Sequence, residues 1–454
     1  MNIRTKRMGI RPGGNIWIKS LILFGIEFQM GIYGWLSLRK IVFLVLCAGF
    51  LKDFFRRRGE AKVPGEVLGL LLSMAVLFGY ACCIFRLRSV DYGDSFEGVW
   101  FLPRNIVFLT LNAIVFPALL AGYFQDALQF CRAQWNITLF QAAVAVMGKL
   151  NKAFALYIYH NFYKDDGRFL DGVMRGVRVV CIDTGGATAS VIFFAGLVCA
   201  LCLLFYDSRS NPYALLAQYC FVLFSLFFIG RTGLYLGTAG LILAVGCLFI
   251  KRKPLSLWMS CVLAVLLGLL AGYLLLAPES YMKAHYVKWI GELFVKGVGE
   301  GSTIAALAEM EIPPLTAETF WGTGIVYGVA RSGVRILHDS GYVRMYAALG
   351  IPGFLLYYGG LYGFYTAMLL KIRKKRDKWV LWLLFLGVAV CEYKEPFLGK
   401  TPLTVIMTCL FMLERSGFRT GGACDCRRDR SGSDFVCEKG KREHRIFGGC
   451  DCME

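Results

Sequence analysis

Hydrophobic positions in this chain come in long unbroken runs rather than in alternation or in single amphipathic stripes. The windows 186–206, 213–230, 232–250, 255–277, 344–370, 378–392 and 401–414 are apolar almost throughout, and 64–84 and 104–124 repeat the pattern nearer the N-terminus. Bridging a bilayer takes a helix of roughly 20 mostly apolar residues. Barrel strands would instead give segments of alternating polarity, and within lipid only helices and closed barrels satisfy their own backbone polar groups. The pattern therefore predicts an all-α integral membrane protein, with one polytopic domain spanning 1–414.

Charge punctuates the runs and orients them. Two basic connections, KRKP at 251–254 and KIRKKRDK at 371–378, belong in the cytoplasm by the positive-inside rule. Working outward from both, 230–233 becomes a tight external turn and about 278–343 one long external loop. The cluster FRRRGEAK before residue 64 is also cytoplasmic, which demands a further crossing between 125 and 185. The candidate is 137–158, whose Lys149 and Lys152 are expected to face a polar groove or to snorkel to an interface. Two weaker helices within 16–52 bring the count to about twelve crossings, with both termini cytoplasmic. The basic N-terminus reads as the flank of a retained first helix. A second external segment, 159–185, carries Arg168, Arg175 and Arg178. The 278–343 loop is too long for a plain connection and is expected to carry short helices resting on the membrane surface.

Composition agrees and removes rival classes. Hydrophobic residues make up 57% of the 454 residues and charged ones 18%, where soluble domains carry about 25% charged residues. A net charge of +19 could suggest nucleic acid, but the basic residues sit in clusters beside apolar windows and serve topology instead. No nucleic-acid partner is expected. Most of the dispersed cysteines, Cys47, Cys199, Cys202, Cys220 and Cys247 among them, lie within apolar windows, where thiols pack as small hydrophobes. The segment 415–454 is Cys-rich and charged and reads as a disordered cytoplasmic tail. Its Cys424, Cys426, Cys437, His444, Cys450 and Cys452 could be written as a zinc site, but their spacing fits no known pattern. No metal and no cofactor is expected.

The informative polar residues lie at the expected outer face. In IGRTGLYLGTAG, Gly230, Gly233, Gly237 and Gly240 share one helical face, which allows a close helix approach. Arg231 is placed outside, against the positive-inside trend, and its planar fork suits a diphosphate. Arg331, Arg335, His338, Asp339, Tyr342 and Arg344 then fall within one short stretch. If a helix begins near Asp339, that residue or Ser340 can cap it, and capping alone would account for both. His338 by itself is equally an ordinary surface histidine, and only the clustering argues for more. No GxxxxGK[ST], GxSxG or HExxH motif occurs. A metal-independent mechanism is favoured.

Taken in order, GRTG at 230–233, GEGSTIAALAEMEIPP at 299–314, FWGTGIVYG at 320–328 and HDSGYVRMYAALGIPG at 338–353 resemble the O-antigen and capsular polysaccharide polymerases of the O-antigen ligase-like superfamily. The likeness covers roughly 160–414. It implies a glycosyltransferase of the bacterial cytoplasmic membrane that polymerises undecaprenyl-diphosphate-linked repeat units into O-antigen, capsule or exopolysaccharide at the outer face. It also implies a flippase and a chain-length regulator as partners. By similarity, Asp339 or His338 would act as base and Arg231 would stabilise the departing diphosphate. Arg178, Arg331, Arg335 and Arg344 would help to bind that group, and Tyr342 and Ser340 would orient the acceptor. The alternatives are an O-antigen ligase and a lipid-linked sugar flippase or transporter.

Overall fold

A computed structural model describes residues 15–28, 30–33, 36–56, 65–89, 96–163, 170–176, 178–207, 209–250, 310–330, 333–372 and 375–415. Expectations for the tail, for Arg168, Arg331 and the GEGST segment, and for the window 255–277, lie outside these residues. Four described helices are long and apolar enough to cross a membrane, namely Gly65–Leu87, Leu102–Ala121, Gly186–Tyr206 and Pro212–Ile229. Around them stand Ile16–Glu27, Leu38–Arg56, Ala127–Leu150, Lys152–Phe162, Arg231–Ile250, Gly341–Lys371, Lys375–Glu392 and Thr401–Arg415.

Gly186–Tyr206 is apolar on every side and is accordingly the most enclosed of these four spans, packed by Ala127–Leu150, Pro212–Ile229, Arg231–Ile250 and Lys375–Glu392. The glycine face predicted for 230–240 packs against it. A methyl group at Gly233 would collide with the Ser190 carbonyl, and one at Gly237 would lie 2.5 Å from Leu197.

The single crossing expected at 137–158 is divided. Ala127–Leu150 ends at Asn151, an extended residue whose side chain accepts the Phe154 N–H at 3.1 Å and starts Lys152–Phe162. Asn151 thus serves as N-cap to the second helix. Lys149 sits in the last turn of the first helix, donates to the Gly176 carbonyl at 2.7 Å and lies 5.2 Å from the Phe228 ring centroid.

The window 344–370 belongs to Gly341–Lys371, which breaks at Gly350 (φ 68, ψ 179) two residues before Pro352. Proline has no N–H for the carbonyl four residues back, here Ala348, and the break strips Ala347 as well. Both carbonyls find donors in the FWGTG segment. Thr323 donates its N–H (2.8 Å) and its hydroxyl (2.9 Å) to Ala347, and the Gly324 N–H reaches Ala348 at 3.0 Å. Tyr80 donates its hydroxyl to Trp321 O at 2.7 Å and anchors the same segment. Two stretches that the sequence presents as separate motifs are one structural unit.

The described residues are mostly helical but not wholly so. Three small antiparallel ladders join Gly31–Tyr33 to Leu36–Ser37, Val180–Cys181 to Thr184–Gly185, and Gly328–Val329 to Arg335–Ile336. The second turns at Asp183 (φ 57) and is held by Gln141, whose amide meets Ile182 N at 3.0 Å and Ile182 O at 3.1 Å. This side chain replaces a missing ladder partner. From the expected long loop, the described part contributes the short helix Ala317–Trp321, capped reciprocally by Thr316 and Thr319.

At the end of Gly186–Tyr206, Asp207 bonds Arg132, Ser210 and the Arg209 N–H. Burial alone would raise its pKa, but the Ser210, Arg132 and Arg209 donors together with the Arg132 charge outweigh that and hold it below the usual value. A carboxyl depressed on folding stabilises the chain above its unfolded pKa, and the contribution is lost as pH falls through the folded one. Thermal unfolding followed from neutral pH to below about 4 should therefore show an acid-side loss. In Asp207→Asn that loss should shrink, and an unchanged acid slope would contradict the assignment.

Candidate functional site

Polar groups gather at the end of the bundle where Pro212–Ile229 hands over to Arg231–Ile250. Gly230 is extended and packs so closely on Gly186 O and Ser190 that a Cβ would lie 3.0–3.1 Å from them. This seats Arg231 at the start of its helix. Arg178 is tied to the same end, because its neighbour Val179 donates to Phe228 O at 3.2 Å. The Arg178 stem runs over Gly172, where a Cβ would be 3.2 Å from its Cδ, and its own N–H bonds Gly172 O at 3.1 Å.

A third cation completes the group. Lys394 lies in the turn 393–400, between Lys375–Glu392 and Thr401–Arg415, and donates to the Thr232 hydroxyl at 3.3 Å. Burial pushes its ammonium below the ordinary lysine value. Glu395 and Cys391 oppose that, and the charges of Arg231 and Arg178 add to it. The charges of Arg231 and Arg178, from two other segments, thus reach Lys394, as does that of its neighbour Glu395. The arginines were expected here. Lys394 was not, because EYKEPFLGK is only a short gap between two apolar windows.

The second group surrounds the start of Gly341–Lys371. His338 is buried, and its Nδ1 accepts the Ser340 N–H at 3.0 Å. An imidazole nitrogen that accepts in this way leaves the neutral ring's proton on Nε2. Asp339 is half exposed, with Oδ1 paired to Arg344 Nη2 at 2.8 Å. Arg344 also donates Nε to His338 O at 2.8 Å and lies 4.7 Å from the Tyr327 ring centroid. Asp339 and Arg344 therefore pair with each other. Ser340 stands at the N-cap position without a side-chain cap, and its buried hydroxyl has no hydrogen-bond partner among the described residues. Tyr342 turns into the bundle, where its hydroxyl meets that of Tyr362 at 2.6 Å and donates to Ala389 O at 2.9 Å. Arg335 is exposed on its hairpin strand.

One residue stands between the two groups. Glu392 is fully buried and accepts from Phe397 N (2.7 Å), Leu398 N (2.9 Å) and the Tyr358 hydroxyl (2.8 Å). Its carboxylate is admitted against the first turn of the 341 helix because Gly341 has no side chain, and a Cβ there would be 2.6 Å from Oε1. The chain matches no family model, no curated protein and no solved structure.

Proposed function

We propose that this chain is a glycosyltransferase of the bacterial cytoplasmic membrane that joins undecaprenyl-diphosphate-linked oligosaccharide repeat units into a polysaccharide at the outer face. The observation that carries the reading is that Val179, next to Arg178, bonds Phe228 O, and Lys394 bonds Thr232, so that both segments meet the chain on either side of Arg231. Cations held beside apolar helices are costly, and guanidinium forks are suited to phosphate oxygens. On this reading about twelve helices cross the bilayer, the termini are cytoplasmic, and 278–343 lies outside with the 159–185 segment and the turns at 230 and 393.

Transfer requires an acceptor hydroxyl to attack the anomeric carbon while the bond to the lipid diphosphate breaks. The hydroxyl proton leaves to a base, and the diphosphate departs with the bonding electron pair. Preorganised cations lower the barrier where that charge develops. Asp339 is the better-placed base, since it is half exposed and one of its oxygens remains beyond the Arg344 pair, whereas the His338 Nδ1 lone pair is engaged. Purified chain in vesicles, supplied with a lipid-linked repeat unit, should yield a ladder of longer lipid-linked glycans. Transfer only to a different acceptor would identify a ligase instead, and translocation without any change in glycan length a transporter.

A further inference from the structure

We infer that Lys394 is a third diphosphate-binding residue and that Glu392 is the positioning residue that sets it. The inference rests on the proposed function and deepens its site. Lys394 belongs to a turn of eight residues, 393–400, that leaves one apolar helix and enters another. Placed outside, such a turn needs no cation for topology, yet Lys394 is directed at Thr232, the residue after Arg231. Glu395 offsets part of the charge at this partly buried site, while burial and the two guanidinium charges act against the Lys394 ammonium. An anion with several oxygens can be shared by all three cations. A diphosphate offers two phosphoryl groups, enough for two planar forks and one point charge, and it gains charge as the glycosyl bond breaks.

The turn is not held by Lys394 itself. Its backbone is fixed by Tyr393 N to Val390 O (3.1 Å), Lys394 N to Cys391 O (2.8 Å) and Lys400 N to Phe397 O (2.9 Å). Its far side is fixed by the two amides that Glu392 accepts. Because Glu392 also lies against Gly341 and takes the Tyr358 hydroxyl, it holds the Lys394 turn in register with the helix behind His338 and Asp339. Glutamine can keep this arrangement, with its oxygen on the two amides and its NH2 on the Tyr358 oxygen. Alanine cannot.

The test uses the full chain in lipid nanodiscs, titrated with farnesyl diphosphate, farnesyl phosphate and farnesol, with binding read from the shift in melting temperature. Wild type should prefer the diphosphate. Lys394→Met keeps the aliphatic stem and should melt at the wild-type temperature without ligand, but bind the diphosphate about ten- to hundred-fold more weakly while the monophosphate changes less. Lys394→Arg should recover most of the difference. Glu392→Ala should weaken diphosphate binding although Lys394 is intact, and Glu392→Gln should restore it. If Lys394→Met fails to fold, Lys394→Gln carries the same test. Diphosphate binding by wild type that is unchanged in the Lys394 variants overturns the inference and leaves the proposed function standing. Absence of diphosphate binding in wild type overturns the anion site on which both depend.

Discussion

Replacing Arg231 with alanine should leave the chain folded and cut polymer formation by about 100- to 1,000-fold, the usual cost of removing one donor aimed at developing charge. The side chain begins a helix whose close packing runs through Gly230, Gly233 and Gly237. What its loss removes is a guanidinium beside Lys394 and Arg178, where the account places the departing diphosphate. Arg231→Lys should fall between, because it keeps the charge and loses the fork. Product length on gels from membranes containing each variant, with folding checked by size exclusion, measures this. Wild-type polymer from both Arg231→Ala and Asp339→Ala would remove the site from consideration.

Gly350→Ala should be severely damaging, because it combines backbone strain with a backbone collision. The residue sits at φ 68, a region costing an ordinary side chain about 1–3 kcal/mol. Its new Cβ would also collide with Phe320 O and lie 2.5–2.6 Å from Trp321 C and Gly322 N. The FWGTG segment would have to withdraw, stripping Ala347 and Ala348 of the donors that the break requires. The combined loss should exceed about 4 kcal/mol, the range reached only by disruption of a specific mechanism. Gly359 and Gly363 provide the contrast, since a Cβ at either meets nothing within 4 Å. Alanine there should be neutral or stabilise by up to about 1 kcal/mol through helix propensity. Melting temperatures of the three variants in one detergent decide the matter, and equal values would refute the described break.

What could be read from the sequence was whatever depends on local pattern. The apolar runs at 65–87, 102–121, 186–206 and 212–229 are membrane-length helices because unbroken hydrophobicity needs no tertiary partner to be recognised. The glycine face at 230–240 was legible for a similar reason, since one helical period brings those residues together. The division at Asn151 was not, because Ala, Leu and Phe continue on both sides and a capping asparagine is a single-residue signal. The Gly350 break was hinted at by Gly-Ile-Pro-Gly, but nothing local says that Thr323 and Gly324 supply its carbonyls.

At the site, the apolar pattern that located the helices concealed two residues. Lys394 falls in the short gap between the apolar windows 378–392 and 401–414, and Glu392 is the last residue of the first of them. Their partners, Thr232 and Gly341, are distant in sequence. The grouping of His338, Asp339 and Arg344 was legible. Their mutual pairing was not, because it depends on where the helix begins: a start at Gly341 carries Arg344 back to Asp339 and His338 O.

The most direct test of the central claim is the set of lipid-linked glycans that accumulates when this chain is deleted from a cell that depends on it. Single repeat units should accumulate, still on their diphosphate carrier and exposed at the outer face. Long glycans retained on the carrier would contradict the claim, because they would mean that the chain acts after polymerisation rather than in it.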